Sequence, residues 1–249
     1  MKELINFEFR KLFKSKSFFI CLAVCLGLVL LGGLTTKVLL ENSNGEIATP
    51  NALSMLKGAI GSSNVVLISG MFTALFVCED DTSGTIKNIY ARGYSRRDVF
   101  LSKYIVSLVS ILIFTLSSMI LSFLFGSVTW PSELEIQNTY VITIIAQIVM
   151  MIAYHAVFFA ISSKIGKTGS SIAFNIVGPM FISMLLGMVD AFLKLEENKI
   201  RSYWIDSLLS SLQQTSVTNS VITSAIILGI VYSVIFIVLG IRINKKKEV

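Results

Sequence analysis

Few residues in this chain have the type and spacing for bond-making chemistry. A phosphate cradle takes the form G-x-x-x-x-G-K-[ST], in which backbone N–H groups hold the oxygens and the lysine meets the terminal phosphates. The nearest fragment is Gly166-Lys167-Thr168, but its earlier glycine would fall on Ile161, and it stands between two apolar runs rather than after a strand. It reads as a basic loop, and nucleotide hydrolysis is expected to come from another chain. His155 is the single histidine, and the three cysteines, Cys21, Cys25 and Cys78, are scattered through apolar runs. That set does not make a structural zinc site. Cys21 and Cys25 stand one helical turn apart and read as small packing groups rather than a thiol switch. His155 has no acid or base partner at helical spacing, and Ser162 and Ser163 stand at a loop end. No catalytic residue, metal site or cofactor is assigned to this chain.

The elements that carry these residues are set by composition. Hydrophobic residues make up 54%, charged residues 14%, and the mean hydropathy is +0.77. A soluble domain carries about 25% charged residues, so much of this surface is expected to avoid water. The net charge of +6 does not suggest nucleic acid, because the basic residues sit at the ends of apolar runs, where anionic headgroups lie. A spanning helix needs roughly 20 mostly apolar residues. Six stretches qualify, at about 17–40, 59–78, 104–126, 139–162, 171–193 and 220–241. The expected fold is an all-α integral membrane protein, one transmembrane domain over 1–249.

Lysine and arginine set the orientation. With the N-terminus inside, 16 of the 21 basic residues fall on the inner side; Lys37, Lys57, Lys194, Lys199 and Arg201 fall outside. Both termini are then expected to be cytoplasmic. The first apolar stretch is too long for a signal peptide and lacks a convincing cleavage site, so it reads as a retained span.

Polar groups inside spans are candidates for a pathway, because burying them in lipid is costly. Asn64, Gln147, His155 and Asn175 qualify, with Tyr154, Pro179 and Asp190 nearby. The bland alternative for His155 is a neutral hydrogen bond between helices. Paired carboxylates at mid-membrane, expected of a proton- or sodium-driven carrier, are absent from the spans. The outer segment 194–219 contains Tyr203, Trp204, Ile205, Leu208, Leu209 and Leu212. It reads as an interfacial helix, with an outer gate or a re-entrant piece as the alternatives.

Two segments lie outside the spans. In residues 1–16, Ile5, Phe9, Leu12 and Phe13 fall on one side of a helical wheel, beside a polar side of Glu3, Asn6, Arg10 and Lys14. This predicts a short amphipathic helix in the inner interface, the alternative being a disordered basic start. The longest inner loop, residues 79–103, opens with Glu79, Asp80 and Asp81, acids that suit a helix start capped by Thr82 or Ser83. Ile86, Ile89 and Tyr90 then form an apolar face, with Lys87 and Arg92 pointing elsewhere and Gly93 as a stop. Ser95 and Asp98 have capping-box spacing, which starts the helix into the third span. A short helix at 82–93 is therefore expected to lie across two spans, its apolar face turned to lipid headgroups or a cytosolic protein. A plain basic loop is the alternative.

This loop resembles the signature region of type-2 ATP-binding-cassette (ABC) exporter permeases. The resemblance rests on Glu79 or Asp80 ending span two, Gly84-Thr85-Ile86, Ser95-Arg96, and Lys103 entering span three. Tyr94 stands where a proline often precedes the Ser-Arg pair. The six spans, amphipathic start and large last outer loop match as well. The resemblance implies the membrane subunit of a small six-span exporter in a bacterial plasma membrane. Helix 82–93 would be a coupling helix on a separate ATPase, which would bind ATP and Mg, with Gly84, Thr85, Ile86, Ile89, Tyr90 and Arg92 at the contact. A second permease chain, identical or different, would complete the path. The implied cargo is hydrophobic or amphipathic, with an antimicrobial peptide as best guess and antibiotic resistance as the consequence. A self-contained channel or secondary transporter is the alternative.

Overall fold

The computed structural model describes residues 1–43, 49–131, 138–194, 199–214 and 217–246. The described helices are α1 (Lys2–Lys14), α2 (Lys16–Asn42), α3 (Ala52–Ile60), α4 (Ser63–Thr82), α5 (Thr85–Ala91), α6 (Arg96–Thr129), α7 (Asn138–Ile165), α8 (Thr168–Phe192), α9 (Ile205–Ser211) and α10 (Asn219–Lys246). Six helical stretches are long and apolar enough to cross a membrane, α3 and α4 counting as one interrupted stretch, Ala52–Thr82. The protein is an all-α, six-span, multi-pass membrane protein. The start of α1 and the end of α10 lie at one end of the bundle: the Tyr94 hydroxyl donates to Glu3 at 3.3 Å, and the nearby Arg96 guanidinium donates to the Lys245 carbonyl at 3.4 Å.

Burial divides the spans. The apolar stretches of α3–α4 and α7 are 61% and 67% buried, whereas those of α2, α8 and α10 are 22% or less, so α4 and α7 form the centre. On α8, Phe174, Val177, Phe181 and Met184 project outward, the surface a lipid-facing helix requires. Inside, the rings of Phe18, Phe72 and Phe114 pack within 5.3–5.8 Å of one another and join α2, α4 and α6. A run of small residues on α6, including Ser107, Ser110, Ser118 and Ser122, is buried, which lets backbones approach closely.

Two elements differ from the sequence expectation. Residues 52–60 were assigned in part to an outer loop, yet they form α3, because the Asn51 side chain accepts from the Ser54 N–H at 2.8 Å and caps it. Lys57, counted with the outer basic residues, is 4% exposed; its ammonium donates to the Gln214 carbonyl and lies 5.9 Å from the Tyr140 ring centre. As its Ser95 start predicts, α6 continues from the inner loop into the third span; it runs 34 residues, about 51 Å at 1.5 Å per residue, well beyond a 30 Å bilayer core. Its projecting first turns form the shelf on which α1 and α5 rest.

The second difference concerns residues 199–214. They do not lie flat as an interfacial helix. Asp190 accepts from the Ile200 and Arg201 N–H groups at 2.8 Å, Arg201 Nε donates to Ser183 Oγ, and the Trp204 indole donates to the Pro179 carbonyl. Pro179 lies 13 residues before the end of α8, about 20 Å along it. The chain thus descends beside α8, and α9 buries Ile205, Leu208 and Leu209 in the main core. This is a re-entrant segment, made possible because side chains and a short helix satisfy its backbone.

Gly126 gives a test of this packing. A Cβ there would meet the Ala52 Cα at 2.9 Å, and backbone cannot rotate away. Gly126→Leu is expected to destabilise by about 1–3 kcal/mol or more through overpacking. Gly27→Ala, in a helix with nothing within 4 Å of the new Cβ, is expected to cause no loss. Thermal unfolding of the detergent-solubilised chain checks both.

Candidate functional site

Glu79, Asp80 and Asp81 form the last turn of α4, not the start of the loop helix. That corrects the expectation that they favour a helix N-terminus. At a C-terminus the helix dipole is negative, so acids there require neutralising cations. Two helices supply them. Lys11 of α1 reaches Asp80 Oδ1 at 2.7 Å and Glu79 at 3.0 Å, and Lys103 of α6 reaches Asp80 Oδ2 at 2.5 Å. The Thr85 hydroxyl donates to Asp80 Oδ1 at 2.9 Å. One carboxylate therefore ties together α1, α4, α5 and α6. The Asp80 and Lys103 side chains are 7% and 5% exposed, so this junction is shielded from water.

The loop helix starts later than the expected 82–93. Thr82 turns its hydroxyl back to the Cys78 and Glu79 carbonyls and closes α4. Gly84, at φ 72°, is the N-cap of α5, a left-handed conformation glycine adopts without strain. Gly93, at φ 86°, follows the helix end. Ser95 accepts from the Asp98 N–H at 3.1 Å and caps α6, as its spacing predicts.

The apolar face of α5 turns inward rather than toward a partner. Ile89 packs with Leu4 of α1 and Val99 of α6, with Tyr90 and Tyr94 against them, and Ile86 is half-buried. Tyr90 also carries Arg96 over its ring at 5.7 Å. The exposed side of α5 is Lys87, Asn88, Ala91 and Arg92. Of the residues assigned to contact, Arg92 faces out, whereas Ile86, Ile89 and Tyr90 hold α5 to the bundle. Thr85 is exposed but committed to Asp80.

On the apolar side drawn for α1, Leu12 is buried and Ile5 and Phe9 pack against the core. The buried residues of α1 are Leu4, Glu8 and Leu12, while Phe13 is exposed. Packing on α6 selects the stripe four residues apart. Glu8 was missed altogether. It is fully buried, and among the described residues neither carboxylate oxygen has a hydrogen-bond partner. Burial pushes its carboxyl above the ordinary range; Lys103 and Lys11 pull against that, Asp80 and Glu79 add to it. Burial also opposes charge on Lys11, but its bonds to Asp80 and Glu79 win and raise it.

A raised acid binds a proton more readily in the folded protein. The stabilising contribution of protonated Glu8 is complete below the ordinary value near 4.5 and is lost as pH rises through the raised one. Glu8→Gln is therefore expected to unfold like wild type near pH 4 and to be more stable at pH 8, by about 1 kcal/mol, a typical desolvation penalty. Melting curves of both chains across this range check the sign.

The polar residues of the spans are not gathered at one point. His155 is fully buried between three helices: its Nε2 lies 3.1 Å from Ser107 Oγ and 3.3 Å from the Tyr104 carbonyl, its Nδ1 3.5 Å from Thr73 Oγ1. It stacks on Tyr104 at 4.9 Å. This is an interhelical tie. Gln147 donates to the Lys57 carbonyl at 3.1 Å, and Asn175 donates to the Gly70 carbonyl and Ser162 Oγ at 2.9 and 3.0 Å. Asn64 is half-buried in the first turn of α4. One acid was missed by counting within spans. Asp206, exposed on α9, accepts from the Tyr154 hydroxyl at 3.0 Å, beside the middle of α7. Only the re-entrant path of its segment brings it there.

No curated protein matches this chain. A family model described as "Protein of unknown function (DUF2705)" matches residues 35–249, a stretch that includes Asp80, α5 and Lys103 but not α1. The chain belongs to that family.

Proposed function

We propose that this chain is the permease subunit of an ATP-driven exporter of the type-2 ABC kind, with α5 seated on a separate ATPase subunit that binds ATP and Mg. On this reading the end carrying α1 and α5 faces the cytoplasm of a bacterial cell, and a second permease chain completes the path. The cargo is hydrophobic or amphipathic, with a peptide as the leading guess. The observation that carries it is the mounting of α5. The helix presents Lys87, Asn88, Ala91 and Arg92 outward, and its root is bound through Asp80 to α1 and α6. A push on α5 would move α4 and α6 as one body instead of bending a loose loop.

Purification of the chain from its native membrane in mild detergent is expected to bring an ATPase subunit with it, and the isolated chain to hydrolyse no ATP. Recovery of the chain without any nucleotide-binding protein, together with transport in liposomes lacking ATP, would sink the proposal. Such a result would favour a self-contained secondary transporter. Asp206 is the one observation on that side, since an acid beside the middle of the bundle can carry a coupling ion.

A further inference from the structure

The junction beneath α5 holds more acid than its cations match. Lys11 and Lys103 are its ammonium groups, and both are turned to Asp80, with Glu79 as the second anion at Lys11. Two lysines against these two carboxylates make a balanced set. Glu8 is the third carboxyl. It is fully buried, and among the described residues both of its oxygens lack a hydrogen-bond partner and it joins no ion pair. The charged groups that face it are Lys103 on α6, Asp80 and Glu79 on α4, and Lys11 on its own helix. The lysines are committed to the other acids, so an ionised Glu8 would be an excess charge in a closed space. A buried charge without a paired partner costs far more than a neutral group in the same place. Burial accordingly pushes the carboxyl up, past the opposing pull of Lys103.

The element able to yield is α1. It is a 13-residue helix joined to α2 through Ser15, whose extended backbone (φ −74°, ψ 121°) separates the two helices. A helix of this length is marginal by itself and depends on what it packs against. Leu4, Glu8 and Leu12 form its buried stripe, and Leu4 meets Ile89 of α5 and Val99 of α6. Lys2, Phe7, Arg10, Phe13 and Lys14 are exposed, a mixture that suits the headgroup region once the helix is loose.

We propose that Glu8 is a proton-controlled latch for α1: its carboxyl keeps its proton while α1 is docked, and loss of that proton to water as the solution turns alkaline releases α1, withdrawing Lys11 from Asp80 and Leu4 from Ile89. Thr85 still holds α5 to Asp80, but α5 loses one wall of its seat. The protonated carboxyl favours docking fully below the ordinary value near 4.5, and this advantage is lost as pH rises through the raised one. As control of coupling this rests on the permease reading; as a movement of α1 it does not, so its test uses the isolated chain without ATP or ATPase.

Leu4→Cys places a thiol on the buried side of α1, and Asn6→Cys places one on its exposed side. The ratio of their labelling rates by a methanethiosulfonate reagent, read site by site by peptide mass spectrometry in detergent, measures the protection of the docked face. The pH dependence of the reagent cancels in that ratio. From about pH 4.5 to about pH 8 the protection is expected to fall about fivefold or more, the equivalent of a buried polar group left unpaired. Glu8→Gln should hold it constant, and Glu8→Asp, which still ionises, should restore the fall. The native Cys25, buried on α2, reports opening of the whole bundle in the same samples and should show no matching loss. Protection that ignores pH, an equal fall in Glu8→Gln, or an equal loss at Cys25 would overturn the inference. None of these results bears on whether α5 docks an ATPase.

Discussion

Asp80→Asn is expected to lower the unfolding free energy by about 3–5 kcal/mol, the range seen when one partner of a buried ion pair is removed. The physical reason is the fate of Lys103. Its ammonium is 2.5 Å from Asp80, and its side chain is 5% exposed. With a neutral amide opposite, that charge would be buried against Glu8 alone, a carboxyl whose own burial disfavours ionisation. Lys11 would lose its 2.7 Å partner as well, but at 17% exposure and with Glu79 still at 3.0 Å it is less stranded. Replacing both members, Asp80→Leu with Lys103→Met, is expected to harm less than Asp80→Asn, because no charge is then left uncompensated. Chemical or thermal unfolding in detergent gives both numbers, and a double variant worse than the single one would show that the junction is held by something other than this pair. Limited proteolysis adds a second readout: freeing Lys11 should expose α1 to cleavage before the bundle opens.

The second large effect is expected on assembly rather than stability. Lys87→Glu with Arg92→Glu changes two exposed side chains on the outer face of α5. Arg92 is the C-cap residue of α5, but among the described residues neither its side chain nor that of Lys87 makes a hydrogen bond or ion pair; exposed substitutions of this kind shift stability by about 0.5 kcal/mol or less, so the melting curve should move little. If α5 docks an ATPase, reversing both charges places like charge against the surface that received them. That penalty is about 1.4 kcal/mol or more, which is about tenfold or more in affinity. The measurement is ATPase subunit recovered per permease in mild detergent, with substrate-stimulated hydrolysis as its companion. Unchanged recovery with an unchanged melting curve would remove α5 from the interface. The inward residues are poor probes for this purpose, since Ile86 and Ile89 support the helix and altering them mixes docking with folding.

The spans and their number were legible because the bilayer imposes a length and a composition that no other constraint imitates. Short signals with a local partner were legible for the same reason of proximity: Ser95 and Asp98 lie three residues apart and do cap α6. Faces were less legible. The wheel for α1 grouped its apolar residues on an interfacial side and gave no place to Glu8, because an amphipathic pattern ranks side chains by water affinity, while burial followed the shape of α6 and the charges on α4 and α6. The dipole reading gave the acids at 79–81 to the start of the loop helix, whereas the resemblance had Glu79 or Asp80 ending span two; the same residues fit a helix start by dipole and a helix end by ion pairing, and local sequence cannot weigh cations that arrive from positions 11 and 103.

What the sequence determined by itself is the solvent of this protein: six apolar lengths, with most basic residues at their ends on one side. What only the tertiary structure decided is which polar groups share a space. Asp80 meets Lys11 across 69 residues, and Asp206 meets Tyr154 across 52. Hydropathy is summed along the chain, whereas a charge is satisfied across space. A loop acid such as Asp206 therefore looks exposed in the sequence, and only its descent beside α8 makes it a group facing a cavity between helices.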